Sequence, residues 1–208
     1  PIAEQLNLIE PINDALLLKA MHAARDWPKT VRLSVNLSAV QLCSPSSARE
    51  LIEKIAEAGL SPARLSVEVT ETALLIDFEA ARSNLAVLKA EGIRIILDDF
   101  GAGFASIAYL REIRFDAIKL DGSLIAPIVD SVASRRLLEG VLQLCAALGT
   151  PCVAEHIESE EQLFLLRELK CARGQGFLLG PPLGAEEAGK LAAGADVPEQ
   201  AADYSIHR

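Results

Sequence analysis

Six polar side chains recur at one kind of place in the sequence, at or near the C-terminal end of a short apolar run: Asn36, Glu68, Asp98 with Asp99, Lys119 and Glu155, with Gln175 leading into the last such run. Four carboxylates facing a common mouth repel one another unless cations sit among them. Their oxygens suit Mg2+ or Mn2+ and not zinc or copper, because hard cations prefer carboxylate, amide and water ligands. The adjacent pair Asp98 and Asp99 can serve two ions about 3.5 to 4 Å apart, the arrangement that activates a water and stabilises the leaving oxygen in phosphodiester hydrolysis. A lysine at the same mouth can orient that water and offset charge developing on phosphorus. Each residue taken singly has a humbler explanation. Asn36 could cap a turn, Lys119 could be a solvated strand end, and Glu71 and Glu158 could be helix first-turn acids. Capping does not account for a polar group at the end of every strand. His156 stands beside Glu155 as either a loop residue or a site group, while His22 and His207 have no partners in the pattern.

The runs that carry these residues read as strands. Val31–Asn36 alternates and is rich in β-branched residues; Leu65–Thr70 repeats the signature. Ile93–Asp98, Phe115–Leu120, Cys152–Glu155 and Gly176–Leu179 read as further buried strands. Between them lie helical patterns. One opens at a Ser47-x-x-Glu50 capping box, runs through Leu51, Ile52 and Ile55 and ends at Gly59. Another places Phe78, Ala81, Leu85 and Leu88 on one face before Gly92. Others cover Ser106–Arg111, Arg136–Leu148 and Glu160–Leu169, the last opened by Ser159-x-x-Gln162. Strands alternating with helices and no linker between them predict one α/β domain with a parallel sheet. An open sheet concentrates ligand groups at one switch point, whereas a closed barrel gathers all its strand ends at one mouth. The distribution of polar residues therefore predicts a TIM-like (β/α) barrel. Such barrels usually need about 250 residues, so with 208 residues the first strands are expected to precede Pro1.

Twenty basic against 29 acidic residues give a net charge of -9 and a pI near 4.9, so the chain lacks the basic footprint of a DNA or RNA binder. A small anion received by a metal remains compatible with that charge. The stretch Val141–Ala154 is interrupted by Gln143, Gly149 and Pro151 and falls short of the roughly 18 apolar residues of a membrane span. Cys43, Cys145, Cys152 and Cys171 show no zinc spacing and sit among apolar neighbours, which predicts buried thiols in a reducing, cytoplasmic setting. No signal-peptide pattern is visible.

Six ordered motifs carry a family resemblance. Asn36-Leu37-Ser38, Glu68-Val69-Thr70-Glu71, Asp98-Asp99-Phe100-Gly101-Ala102-Gly103-Phe104, Lys119-Leu120-Asp121, Ala154-Glu155-His156-Ile157-Glu158 and Gln175-Gly176-Phe177 resemble, in order and spacing, the motif series of the bacterial EAL-domain cyclic di-GMP phosphodiesterases. The resemblance runs from Pro1 to about Leu183, with residues 1–195 expected to form the domain and 196–208 a C-terminal tail. It implies a modified TIM barrel that opens cyclic di-GMP to linear pGpG with two Mg2+ or Mn2+ ions, Ca2+ being inhibitory. It implies Asn36, Glu68 and Asp98 as ligands of one ion and Asp98, Asp99 and Glu155 as ligands of the other. Lys119 and Gln175 would position the attacking water, Glu71 would hold the loop after Asp98-Asp99, and Glu158 would support the site from behind. The large apolar residues from Phe104 to Leu110 exceed what one helix face can bury, which predicts a homodimer through that loop and helix. Upstream sensory or GGDEF domains are compatible with the pattern.

The departures bear on activity. The family's Glu-Ala-Leu, whose glutamate is a metal ligand, lies in relatives on a strand preceding the segment that resembles Pro1-Ile2-Ala3-Glu4, and this sequence does not contain it. The usual Gly-Val after Ala-Glu is His156-Ile157, and the usual Tyr-Ser-Ser is Phe104-Ala105-Ser106. A chain without the Glu-Ala-Leu strand is expected to hydrolyse little until extended upstream. The competing reading is a catalytically inactive domain of the same type that acts as a cyclic di-GMP receptor or a protein-interaction module. Retention of Lys119, Asp98, Asp99 and Glu155 favours the enzyme, since a pure receptor has no need of a water-activating set.

Overall fold

The computed structural model describes residues 9–103 and 107–194, with side chains over 12–103 and 109–194. Its centre is one six-stranded sheet, all parallel, in the order of the sequence: β1 (Leu33–Asn36), β2 (Leu65–Thr70), β3 (Arg94–Phe100), β4 (Ala117–Leu120), β5 (Cys152–Ala154) and β6 (Arg173–Gly174). Sequential order with helical crossovers is what a barrel wall requires, because every strand pairs with the next and all C-terminal ends lie on one side.

The longer helices are α1 (Ile9–Arg25), α3 (Ser47–Ala58), α5 (Phe78–Ala90), α8 (Val132–Ala147), α9 (Glu160–Glu168) and α10 (Ala185–Ala192). The expected apolar stripes are the ones that pack. Leu51 and Ile55 of α3, and Ala81, Leu85 and Leu88 of α5, are buried against strand residues Leu65, Val67, Ile95 and Leu97. Gly59 ends α3 in the left-handed region at φ 68°, a conformation with no steric cost for glycine.

Four shorter helices, α2 (Ala39–Cys43), α4 (Glu71–Ile76), α6 (Ile107–Glu112) and α7 (Gly122–Ile125), accompany them. Three of these start one to three residues after a strand ends, each capped by a residue of a motif. Ser38 caps α2 by accepting from Gln41, Thr70 caps α4 by accepting from Ala73, and Asp121 caps α7 by accepting from Ser123. A side-chain cap satisfies orphan N–H groups and makes the turn from strand to helix abrupt. Two positions before each cap, the chain leaves Asn36, Glu68 and Lys119 at the rim.

Several expectations are corrected. The last strand is Arg173–Gly174 and not Gly176–Leu179. Residues 176–179 form a turn closed by Leu179 N–H to Gly176 O at 3.0 Å and tied down by Leu178 N–H to Ile157 O at 3.0 Å. Its apolar letters imitate a buried strand, although Phe177 is exposed. Ser47 does not cap α3: the cap position is Ser46, whose side chain makes no capping hydrogen bond, and Ser47 is buried in the first turn. The helix read over Arg136–Leu148 begins one turn earlier, where Ser131 accepts from Ser134. The Ser159/Gln162 capping box forms as expected. Ser106, the segment Pro1-Ile2-Ala3-Glu4 and residues 196–208 lie outside the described residues. Cys145, Cys152 and Cys171 are buried and Cys43 is half-buried, all free thiols.

The turn after β6 approaches the chain after β5 so closely that only glycine fits at 176: a Cβ there would overlap the backbone N and O of Ile157. Backbone cannot retreat as a side-chain tip can. Gly176→Ala should therefore destabilise the domain by about 3 kcal/mol, read as a lower urea midpoint, and an unchanged midpoint would refute the close approach.

Candidate active site

Six strands deliver the polar residues to one mouth, and the centre of it is an ammonium. Lys119 Nζ lies 2.9 Å from Glu68 Oε2, 2.9 Å from Asp98 Oδ1 and 2.8 Å from Glu155 Oε1. Lys119, Asp98 and Glu155 are all buried, at 8%, 8% and 4% exposure. Lys119 is thus no solvated strand end. Burial alone would lower its pKa, yet the hydrogen bonds to Glu155, Glu68 and Asp98 outweigh that and hold it above the usual lysine range.

Asp98 and Asp99 share the mouth because β3 is irregular. In a regular strand consecutive side chains point to opposite faces. Here the register against β4 shifts between Leu97 and Phe100, and Asp99 takes φ 55°. A bulge of this kind re-aims a side chain. Asp99 N–H donates to Asp98 Oδ1 at 3.1 Å, and oxygens of Asp98, Asp99 and Glu155 all come within 4.8 Å of one another.

The remaining residues are arranged around this trio. Asn36 is opposite Glu68 in register, and both line, with Asp98 and Asp99, a cavity of about 620 Å3 that Leu16, Leu17 and Ala20 of α1 close on the far side. That volume is in the usual range for a small-molecule pocket. Gln175 donates from Nε2 to Glu155 Oε1 at 2.5 Å. Glu71, first residue of α4, is buried behind the loop after β3. Burial pushes its carboxyl up, the Gly101 N–H opposes this, and the charge of Asp99 adds to the upward push. Glu158 is exposed before α9, its backbone N–H bonded to Gln162 Oε1 at 2.8 Å, and stands outside the Lys119 cluster.

From the sequence alone, Ser34 and Asp121 have no assigned role, and His156 stays open between a loop residue and a site group. Ser34 donates from Oγ to Glu68 Oε1 at 2.5 Å; its position two residues before Asn36 was the available signal, because a strand repeats its face every second residue. Asp121 faces Asp99 closely enough to raise its pKa, after burial and Asp98. His156 takes φ 56°, its ring against Gly122, where a Cβ would be 2.9 Å from the imidazole Cγ. Its ring thus stands in the same neighbourhood as Asp99 and Asp121.

One ammonium among four carboxylates leaves the mouth with surplus negative charge, and the donors are all oxygens. That is the chemistry of a divalent hard-cation site. Parallel strands delivering such a site to their C-terminal ends define a TIM-like barrel with a candidate metal-assisted active site.

The comparisons carry the assignment further. The family model described as EAL domain matches residues 1–182, and the chain belongs to this family. An uncharacterized signaling protein of Caulobacter vibrioides is 42% identical over 182 residues, 88% of this chain and 22% of that protein. PaMucR phosphodiesterase, solved as a c-di-GMP complex, is 32% identical with a TM-score of 0.83 over 90% of this chain and 78% of that one. Klebsiella pneumoniae BlrP1, solved with manganese and c-di-GMP, is 30% identical with a TM-score of 0.76 over 83% of this chain and 44% of that one. The chain thus spans about a fifth of the length of the Caulobacter relative.

The crowded carboxylates give the metal-free protein a specific pH dependence. Burial raises Glu71, Asp99 and Glu155 above the ordinary carboxylate range. The folded state then binds more protons than the unfolded one as pH climbs from that range toward neutrality, and stability falls over the same interval. Thermal unfolding in chelator should show a higher midpoint at pH 5 than at pH 7.5, with Mn2+ restoring more at pH 7.5. A midpoint that rises with pH in chelator would contradict the surplus charge.

Proposed function

We propose that this chain is the catalytic part of a metal-dependent cyclic di-GMP phosphodiesterase, opening the cyclic dinucleotide to linear pGpG. The observation that carries the reading is the Lys119 ammonium held within 2.8 to 2.9 Å of three carboxylates beside the Asp98, Asp99 and Glu155 oxygens. Asn36, Glu68 and Asp98 would hold one Mg2+ or Mn2+ ion, and Asp98, Asp99 and Glu155 a second. Such ions supply Lewis-acid charge to the phosphoryl oxygens and lower the pKa of a bound water. The hydrolysis adds one water across one P–O bond: the water oxygen bonds to phosphorus, and the departing ribose oxygen leaves with a proton. Lys119 would orient that water and offset negative charge on phosphorus once one of its three carboxylates turns away to an ion. Gln175, bonded to Glu155, fixes the carboxylate beside it. Glu71 acts one step removed by holding the loop that presents Asp99, and Glu158 is assigned a supporting position behind the site.

The same reading extends to the assembly. A homodimer would form through the loop after Asp98-Asp99 and α6, in which Tyr109 packs on Phe78 of α5 with ring centroids 4.9 Å apart and Leu75 and Ile76 of α4 are exposed nearby. Upstream sensory or GGDEF domains would regulate a cytoplasmic enzyme of residues 1–195, with 196–208 as a tail. No DNA, RNA or membrane contact is assigned to it; among the described residues no helix is long and apolar enough to cross a membrane.

Release of pGpG from cyclic di-GMP, followed with Mg2+ or Mn2+ for this chain and for the longest product of its gene, tests the proposal. Tight binding without pGpG release in the longer product would make the domain a receptor. Within an active protein, Asp98→Ala should cost at least about a hundredfold in rate, equivalent to about 3 kcal/mol. Asn36→Ala should cost less, because a neutral amide serves one ion and a bridging carboxylate serves two. Retention of a tenth of the rate by Asp98→Ala would sink the two-ion assignment. Ca2+ should bind without supporting turnover, since its bonds of about 2.3 to 2.6 Å exceed the roughly 2.0 to 2.1 Å of Mg2+. Equal rates in Ca2+ and Mn2+ would contradict this.

A further inference from the structure

Behind the mouth, on the other side of the loop after β3, lies a small separate cavity of about 120 Å3 lined by Thr70, Glu71, Thr72, Asp99, Ala102 and Gly103. Glu71 is 94% buried, at 6% exposure. Its carboxylate accepts from the Gly101 N–H, but Oε2 is buried with no hydrogen-bond partner among the described residues. That oxygen lies 3.8 Å from where a Cβ on Gly103 would stand, so it is directed at the part of the cavity that Gly103 leaves open. The hydroxyls of Thr70 and Thr72 are 3.1 Å apart, and Asp99 brings a second carboxylate. No lysine or arginine is among the lining residues. A buried carboxylate oxygen without a partner is expensive unless a counter-charge meets it or a proton neutralises it, and a lining of carboxylates and hydroxyls offers oxygen donors only.

We propose that this cavity is a cation site separate from the mouth, with Glu71 and Asp99 as its charged ligands, the Thr70 and Thr72 hydroxyls completing it, and a hard ion of the Ca2+ class as its occupant. Ca2+ accepts irregular sets of oxygen ligands, which a cavity built from a helix start and a loop provides, whereas Mg2+ demands near-octahedral order. An ion there pins the loop from behind while Asp99 also faces the mouth. The site does not depend on the phosphodiesterase reading.

Equilibrium dialysis against Ca2+, with the bound ion counted per chain, tests it. Glu71→Gln should bind one Ca2+ fewer than the wild type. The same loss of one should appear when Glu71→Gln is added to Asp98→Asn, which disables the mouth. Thr72→Val, at an exposed position whose change does not threaten folding, should weaken the same Ca2+ severalfold. Equal Ca2+ counts for the wild type and a folded Glu71→Gln would mean that the cavity holds only water and would overturn the proposal. A loss seen with Asp98 intact and absent in Asp98→Asn would overturn it too, by showing that Glu71 acts only through the ions of the mouth.

Discussion

Everything at the mouth follows from placing Glu68, Asp98, Asp99 and Glu155 in a small, partly dry volume. Like charges at these distances destabilise the fold by several kcal/mol unless offset. The single ammonium of Lys119 offsets part of that, through three hydrogen bonds of 2.8 to 2.9 Å. Burial pushes Asp99 and Glu155 upward, and the neighbouring carboxylates add to that push. A site with this imbalance attracts cations, and its oxygen-only donors select hard ones. Charge surplus is therefore both the source of its chemistry and a standing cost to the fold.

The fold tolerates that cost by confining it to the strand ends. Below the rim the sheet is apolar: Leu65, Val67, Ile95, Leu97, Ile118 and Leu120 are buried at 2% exposure or less. Above it, the chain must leave each strand sharply so that the last polar residue stays at the edge. Ser38, Thr70 and Asp121 do this by capping a short helix within three residues of the strand end. Because the motif residues next to the ligands are also the caps, a substitution at Thr70 or Asp121 would move a neighbouring ligand as well as weaken a helix.

The sheet and the longer helices were legible because their signals are local. Leu65, Val67 and Val69 are buried at alternate positions of β2, and Ala81, Leu85 and Leu88 are buried along α5 with Phe78 half-buried at its start. The last strand was misread because Gly176-Phe177-Leu178-Leu179 has the apolar letters of a strand, while the Leu178 N–H is claimed by the carbonyl of Ile157, far earlier in the chain. A tertiary pairing of that kind leaves no local trace. The polar residues of the mouth could be named from their place at strand ends, yet the convergence of three carboxylates on Lys119 could not, since it depends on the curl of the whole sheet. Ser34 was missed because serine in a strand is ordinary, and its value comes only from Glu68 on the neighbouring strand. Glu158 shows the converse: a motif position legible in the sequence that the structure leaves exposed and apart from the cluster.

Backbone strain concentrates where the charges do. Of the three non-glycine residues with positive φ among the described residues, Asp99 and His156 stand at the mouth, and each immediately follows a buried carboxylate, Asp98 or Glu155. A left-handed residue just after a buried ligand breaks the regular strand: Asp99 sits in the register shift before Phe100 pairs with Leu120, and His156 follows the end of β5. The cost is of order 1 to 3 kcal/mol at each such position, and the surrounding hydrogen bonds must exceed it. For Asp99 these include Asp98 Oδ1, which accepts the Asp99 N–H; for His156, the neighbouring N–H groups of Glu155 and Ile157 are tied to Leu120 and Gln175 across the sheet. The chain is thus held in its least comfortable conformations by the residues that bear the chemistry, so that geometry and charge at this mouth cannot be altered independently.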